Sequence, residues 1–189
     1  MAKKPIKVLF KKLCKDAVIP TKAHEGDACY DLTAVSCVYD RNLDAYVYGT
    51  GLAIETNVTT GMFIHPRSSV RKTDAFLTNA VGIVDPKEYR GEIMLTYKNR
   101  DSLKMRIFHT ALAQLAVLPW YKRMFTNFKS ILDSVEKEYH DKIYELAPFK
   151  VGDRIGQFWI AEMSPLSIET VKKLSSTSRG TGGHGSTGK

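Results

Sequence analysis

The hydrophobic period of this chain changes in the middle, and that change limits its folds more than any other feature. Between residues 101 and 147 apolar side chains recur every three or four positions. Ile107, Phe108, Ala111, Leu112, Leu115 and Leu118 form one stripe. Tyr121, Met124, Phe125, Phe128, Ile131, Leu132, Val135, Tyr139, Ile143 and Leu146 form a second. A 3.6-residue period marks amphipathic helices, and Pro119 separates the stripes because proline cannot continue a helix. The spacing predicts a helical hairpin whose stripes pack as core.

On both sides of it the pattern is that of strands. Residues 7–13 predict a first strand, and 45–55 (AYVYGTGLAIE) an alternating run broken by Gly49 and Gly51. Residues 61–66, 76–84 and 93–97 are further short apolar segments, with a turn-rich stretch at 85–91. After Pro148 the strand pattern returns at 153–160 (DRIGQFWI). Short strands with Gly, Pro and Asp punctuation argue for a β-sandwich or barrel. The expected organisation is one β domain made of 1–100 and 148–189, interrupted by the helical segment 101–147. Residues 175–189 hold five glycines, four serines and three threonines, so 176–189 read as a flexible glycine-rich arm.

Composition narrows the class. With 189 residues, 43% hydrophobic and 25% charged, the chain is ordinary globular protein. No apolar run approaches the ~20 residues of a spanning helix. The start, MAKKPIKVLFKKL, has no cleavage pattern, so neither secretion nor a membrane partner is expected. Three cysteines (Cys14, Cys29, Cys37) without a C-x-x-C pair favour free thiols in a reducing, intracellular or cytoplasmic setting. A net charge of +8 and a pI near 9.3 suit polyanions, nucleotide phosphates among them. Charge runs are usually solvated faces, and nucleic acid is not the expected partner.

Five short elements carry chemistry. EGDACYDL at 25–32 puts Asp31 between Tyr30 and Leu32, where a carboxylate needs a hydrogen-bond partner or a cation. HPRSSV at 65–70 offers Arg67, Ser68 and Ser69 to phosphate oxygens. NAVGIVDPKEYRG at 79–91 sets Asp85 directly after an apolar strand, firmly enough placed to orient a water. In the same element Asn79 offers a donor and an acceptor to a base edge, and Tyr89 a flat ring. GDRIGQ at 152–157 places Gln157 in an apolar strand, while Asp153 and Arg154 read as an ordinary surface pair. SRGTGGHGSTGK at 178–189 combines Arg179 with glycines and hydroxyls able to form an anion nest.

Taken in this order, the elements resemble the five motifs of the trimeric dUTP pyrophosphatase (dUTPase) family, at residues 26–34, 66–70, 79–93, 152–160 and 179–188. The resemblance implies a distorted jelly-roll β-barrel, mainly β, into which the α-helical hairpin read from the periodicity is inserted. It implies a homotrimer whose active sites draw on all three chains, and the reaction dUTP + water → dUMP + pyrophosphate with Mg²⁺ on the triphosphate. Asp85 matches the base that activates the attacking water, and Asp31 the acid that holds the metal through water. Arg67, Ser68, Ser69, Gln157, Arg179, Ser186 and Thr187 match phosphate-binding positions. Asn79, Gly82 and Tyr89 match the uracil and deoxyribose hairpin, and Gly183, His184 and Gly185 the closing arm.

Four departures from the family pattern stand out. Three residues (Pro86, Lys87, Glu88) separate Asp85 from Tyr89, where the family has two. Cys29 stands at a glycine position, and His184 replaces the phenylalanine that stacks on uracil. The fourth is the insertion at 101–147, itself a candidate surface for a protein partner. A dCTP deaminase-like nucleotide enzyme, or a regulatory protein acting through the insertion, are the alternatives.

Overall fold

β-branched and aromatic residues at alternating positions favour strands, because one face of a pleated strand can be buried while the other meets water. The computed structural model describes residues 5–178 and follows this rule. In chain order it contains β1 (Val8–Lys12), β2 (Tyr30–Thr33), β3 (Ser36–Asp40), β4 (Ala45–Gly49), β5 (Leu52–Thr56) and β6 (Thr60–His65). A 3₁₀ turn (Ser68–Lys72), β7 (Ala75–Leu77), β8 (Gly82–Val84) and β9 (Met94–Asn99) follow. Helices α1 (Leu103–Ala116), α2 (Trp120–Arg123) and α3 (Phe128–Asp141) precede the last strand, β10 (Arg154–Glu162).

All described strand pairings are antiparallel. One sheet runs β2-β10-β6-β8, a second β3-β4-β9-β7, and β1 pairs with β5 alone. Leu32, Met62, Ile64, Ile155 and Phe158 of the first sheet meet Tyr46, Tyr48, Leu95 and Tyr97 of the second in one core. Each such side chain contributes ~1.5–3 kcal/mol by leaving water. The sheets approach closely at Gly156, where a Cβ would lie 2.4 Å from Leu95 Cδ2. The register of β10 against β2 shifts at this point. This is the mainly β fold with antiparallel sheets that the strand pattern predicts.

The run at 45–55 divides as its glycines imply, into β4 and β5 about Gly51, whose φ of +65° glycine adopts without strain. A Cβ there would also strike Cys14 Sγ at 2.6 Å. One expectation is corrected: the second helical stripe is discontinuous. Asn127 caps α3 by accepting from Lys129 N–H at 3.0 Å. Upstream of it, Met124 and Phe125 are 72% and 87% exposed instead of buried.

The helices dock on the barrel through polar contacts at their start. The Asp44 carboxylate accepts from Leu103 N–H at 3.2 Å and from the Tyr39 hydroxyl. Ser102 accepts from Met105 N–H at 3.1 Å. Arg106 reaches Asp74 at 3.2 Å. Where the chain returns from the helices, the Tyr46 and Tyr48 hydroxyls donate to the carbonyls of Ile143 and Phe149 at 2.8 and 2.9 Å.

Candidate active site

The antiparallel register of one strand assembles the polar cluster. β10 lies between β2 and β6, and Gln157 is opposite both Asp31 and His65. Three residues distant in sequence thus form a row across the sheet. Two residues past His65 the chain turns, and Arg67, still extended, precedes the 3₁₀ turn that starts with Ser68 and Ser69.

Asp31 is the centre of this row. Arg67 Nε donates to its Oδ1 at 2.7 Å and Arg154 Nη1 to its Oδ2 at 2.9 Å. The carboxylate is only 14% exposed. A carboxylate so covered requires cationic partners, and here it has two. Gln157 Nε2 donates to the Pro66 carbonyl at 3.4 Å and so braces the residue before Arg67. Asp31, Arg67 and Gln157 line a hollow of about 310 Å³ with Asp27 and Cys29. Cys29 is therefore part of the wall of this hollow.

Arg154 was not anticipated. Its neighbour Asp153 accepts instead from Lys150 N–H at 2.7 Å, closing the turn before β10. The need of Asp31 for a hydrogen-bond partner or a cation is legible in its apolar neighbours. Which arginine met it depended on β10 pairing with β2.

A second hollow, of about 250 Å³, is lined by Ile83, Val84, Asp85, Tyr89, Glu92, Ile93 and Met94. Asp85 leaves the end of β8 exposed to solvent. Its carbonyl accepts from the N–H groups of Glu88 and Tyr89 at 3.1 and 2.9 Å, which winds residues 85–89 into one tight turn. The Tyr89 ring folds back over Gly91, and its hydroxyl donates to Glu92 O at 3.1 Å. A Cβ on Gly91 would lie 2.3 Å from the Tyr89 oxygen. Asn79 sits in the turn between β7 and β8, beside Ala80 at φ +55°. Gly82 makes room for its amide, since a Cβ there would come within 3.3 Å of Asn79 Nδ2.

The structure brings Asp31, Arg67 and Gln157 together, and it brings Asp85 and Tyr89 together. The two hollows share no lining residue within one chain. Arg179, Gly183, His184, Gly185, Ser186 and Thr187 lie outside the described residues. Among the described residues no group of three His, Cys, Asp or Glu side chains is placed to hold a metal ion. Both oxygens of Asp31 are engaged by arginines, so neither is free to ligate a metal ion directly.

An antiparallel double-sheet β protein with a guanidinium-braced acid beside one hollow, and an acid–tyrosine turn lining a separate one, has the polar groups to hold an anionic ligand. Comparison with known proteins is specific about the family. The dUTPase family model matches residues 15–141. A deoxyuridine 5'-triphosphate nucleotidohydrolase of Picosynechococcus sp. is 32% identical over 178 residues, covering 94% of this chain and 95% of the relative. The Rhodococcus erythropolis protein of the same name is 30% identical over 184 residues, covering 97% and 87%. In fold, the chain is similar to the dUTPase of Staphylococcus bacteriophage 80alpha, solved with dUpNHpp. That match has a TM-score of 0.61 at 19% identity and covers 96% of this chain and 98% of the phage protein. A mutant dUTPase of phage phi11, with a TM-score of 0.55, is described as coordinating a structural Mg(II) ion. The chain belongs to the dUTPase family.

Among the described residues no helix is long and apolar enough to cross a membrane.

Proposed function

We propose that this chain hydrolyses dUTP to dUMP and pyrophosphate, acting as a dUTP diphosphatase. Family membership is supported over most of the chain, and the Asp31–Arg67–Arg154 cluster beside Gln157 is the observation that carries the reading to a site. Arg67 and Arg154 present guanidinium groups whose charge is partly balanced by Asp31, leaving N–H donors for a triphosphate. Ser68 and Ser69 add hydroxyls at the start of the following turn. Asp85 takes the proton of the attacking water, which adds to the α-phosphorus as pyrophosphate leaves. Mg²⁺, when bound to the triphosphate, neutralises its charge. The protein side of that site is the carboxylate of Asp31, reached through water. Asn79 reads the base edge, and Tyr89 packs beneath the deoxyribose, where an added 2′-hydroxyl meets the ring. Arg179, Gly183, His184, Gly185, Ser186 and Thr187 close over the nucleotide.

The active enzyme is a homotrimer on this reading. The separation of the Asp85 hollow from the Asp31 hollow within one chain supports sites completed by neighbouring copies. So does the stretch after β10, where Leu166, Ile168 and Leu174 are 83%, 90% and 80% exposed. Pyrophosphate release from dUTP, UTP, dCTP and dTTP, with and without Mg²⁺, tests the activity. Release from dUTP alone, and only with Mg²⁺, is expected, and ammonia from dCTP would instead establish a deaminase.

A protein partner for the helical segment 101–147, which we regard as an insertion into the barrel, is supported by one further observation. Val117, Trp120, Met124 and Phe125 are 82%, 74%, 72% and 87% exposed at its tip. Residues 102–132 contain Lys104, Arg106, Lys122, Arg123 and Lys129 but no acid. A partner with an acidic, apolar surface fits this chemistry. Replacing Trp120 and Phe125 by Ser is expected to leave hydrolysis intact; its loss would make the tip part of the enzyme instead.

A further inference from the structure

The turn that carries the proposed base and the proposed sugar-packing ring is one residue longer here than in the family pattern. A longer turn has more backbone freedom to lose, and Asp85, Lys87, Glu88 and Tyr89 are all exposed. Only Pro86 within it is buried. Something must therefore restrain its outer side.

Arg90 is placed to do so. Its Nη1 donates to Pro86 O at 2.9 Å and to Tyr89 O at 3.0 Å. Its Nη2 donates to Lys87 O at 2.9 Å. One planar guanidinium thus gathers three carbonyls of the same turn, a geometry a single ammonium cannot reproduce. From inside the turn, Asp85 O accepts from Glu88 N–H and Tyr89 N–H. Every backbone carbonyl from Asp85 to Tyr89 except that of Glu88 is accordingly held. Arg90 Nε also lies 3.7 Å from Glu55 Oε2 on β5. Both side chains are about half exposed, so the charge pairing itself adds little. The restraint lies in the fork on the carbonyls.

We infer that Arg90 is a positioning residue for this reaction: it fixes the lengthened turn so that Asp85 and Tyr89 keep the separation that hydrolysis and rejection of a ribose require. The inference rests on the roles proposed above for Asp85 and Tyr89.

The test measures kcat and KM for dUTP and UTP in the full chain for Arg90→Ala, Arg90→Lys, Lys87→Ala and Asp85→Asn, with thermal midpoints recorded for each. Misplacing reacting groups by a fraction of an ångström is expected to cost Arg90→Ala about 10-fold in kcat/KM for dUTP. The loss for UTP should be smaller, so that the preference for dUTP narrows. Arg90→Lys, which folds with the same charge but cannot span the carbonyls, is expected to fall between the two. Lys87→Ala should match the parent, because Arg90 binds the Lys87 backbone and not its side chain. If Arg90→Lys kept the parent's kcat/KM and its dUTP preference, the positioning role would be overturned. A midpoint drop in Arg90→Ala with both substrates affected equally would also overturn it, showing a role in stability only. Full turnover in Asp85→Asn would instead overturn the site reading beneath it.

Discussion

Asp31 and Arg154 are separated by 123 positions in the chain, yet Arg154 Nη1 lies 2.9 Å from Asp31 Oδ2. With Arg67 on the other oxygen, the acid holds two guanidinium groups at once, beside a hollow that Asp31 and Arg67 line.

Removing the negative charge between them leaves the two arginines facing each other with an amide that supplies one acceptor in place of two. Asp31→Asn is therefore expected to lower kcat/KM for dUTP by ~10²-fold, as the loss of a preorganised charged contact does. The same variant should raise the Mg²⁺ concentration needed for half-maximal rate. Steady-state kinetics across a Mg²⁺ series checks both.

Asp85 is exposed at the end of β8, so its isosteric replacement should not disturb folding. Asp85→Asn is expected to bind a non-hydrolysable dUTP analogue as the parent does and to lose ~10²-fold or more in kcat, as loss of a general base does. Calorimetric titration and pyrophosphate release separate the two effects.

The Asp85 and Arg67 hollows share no residue in one chain. If a site takes Asp85 from one copy and Arg67 from another, two inactive variants should complement each other. Asp85→Asn and Arg67→Ala chains, mixed under conditions that exchange subunits, are expected to recover activity in about a quarter of the sites by random assortment in a cyclic assembly. No recovery would place both residues in the same chain's site.

Gly91 lies beneath the folded-back Tyr89 ring, and a methyl there would overlap its hydroxyl oxygen. Gly91→Ala is expected to displace Tyr89, raise KM for dUTP and weaken discrimination against UTP by ~10-fold, the scale of losing one close steric contact in a specificity pocket. Kinetics with both nucleotides reads this directly.

Burial raises the Tyr46 and Tyr97 phenols to about 12. Tyr97 donates to Ile155 O at 2.6 Å and Tyr46 to Ile143 O at 2.8 Å. The folded state holds these protons more tightly than the unfolded chain, whose phenols titrate near ~10. Their contribution is therefore complete below pH 10 and is lost as pH rises toward 12. Denaturation midpoints should fall over that interval, and Tyr97→Phe should fall less steeply there. That variant is expected to be ~1 kcal/mol less stable at neutral pH through its lost hydrogen bond.

Much of the strand pattern was legible because alternation and turn chemistry are local. Val8–Lys12, Thr60–His65 and Arg154–Glu162 lie where apolar runs predicted strands. β2 and β3 stand outside the strand expectation: β2 lies within the first motif segment, and the two strands are only four and five residues long. The second helical stripe was over-read. Its period continued through Met124 and Phe125, but the cap at Asn127 restarted the helix and left those side chains in solvent.

By itself the sequence determined the strand-rich architecture, the helical stretch and the ordered chemical elements, including the need of Asp31 for a hydrogen-bond partner or a cation. These follow from neighbours within a few residues. The identity of that partner, the Asp31–Gln157–His65 row and the division of the site residues into two hollows were decided only by the tertiary structure. They depend on β10 lying between β2 and β6 in one register, and hydrogen bonds between strands a hundred residues apart leave no trace in local pattern.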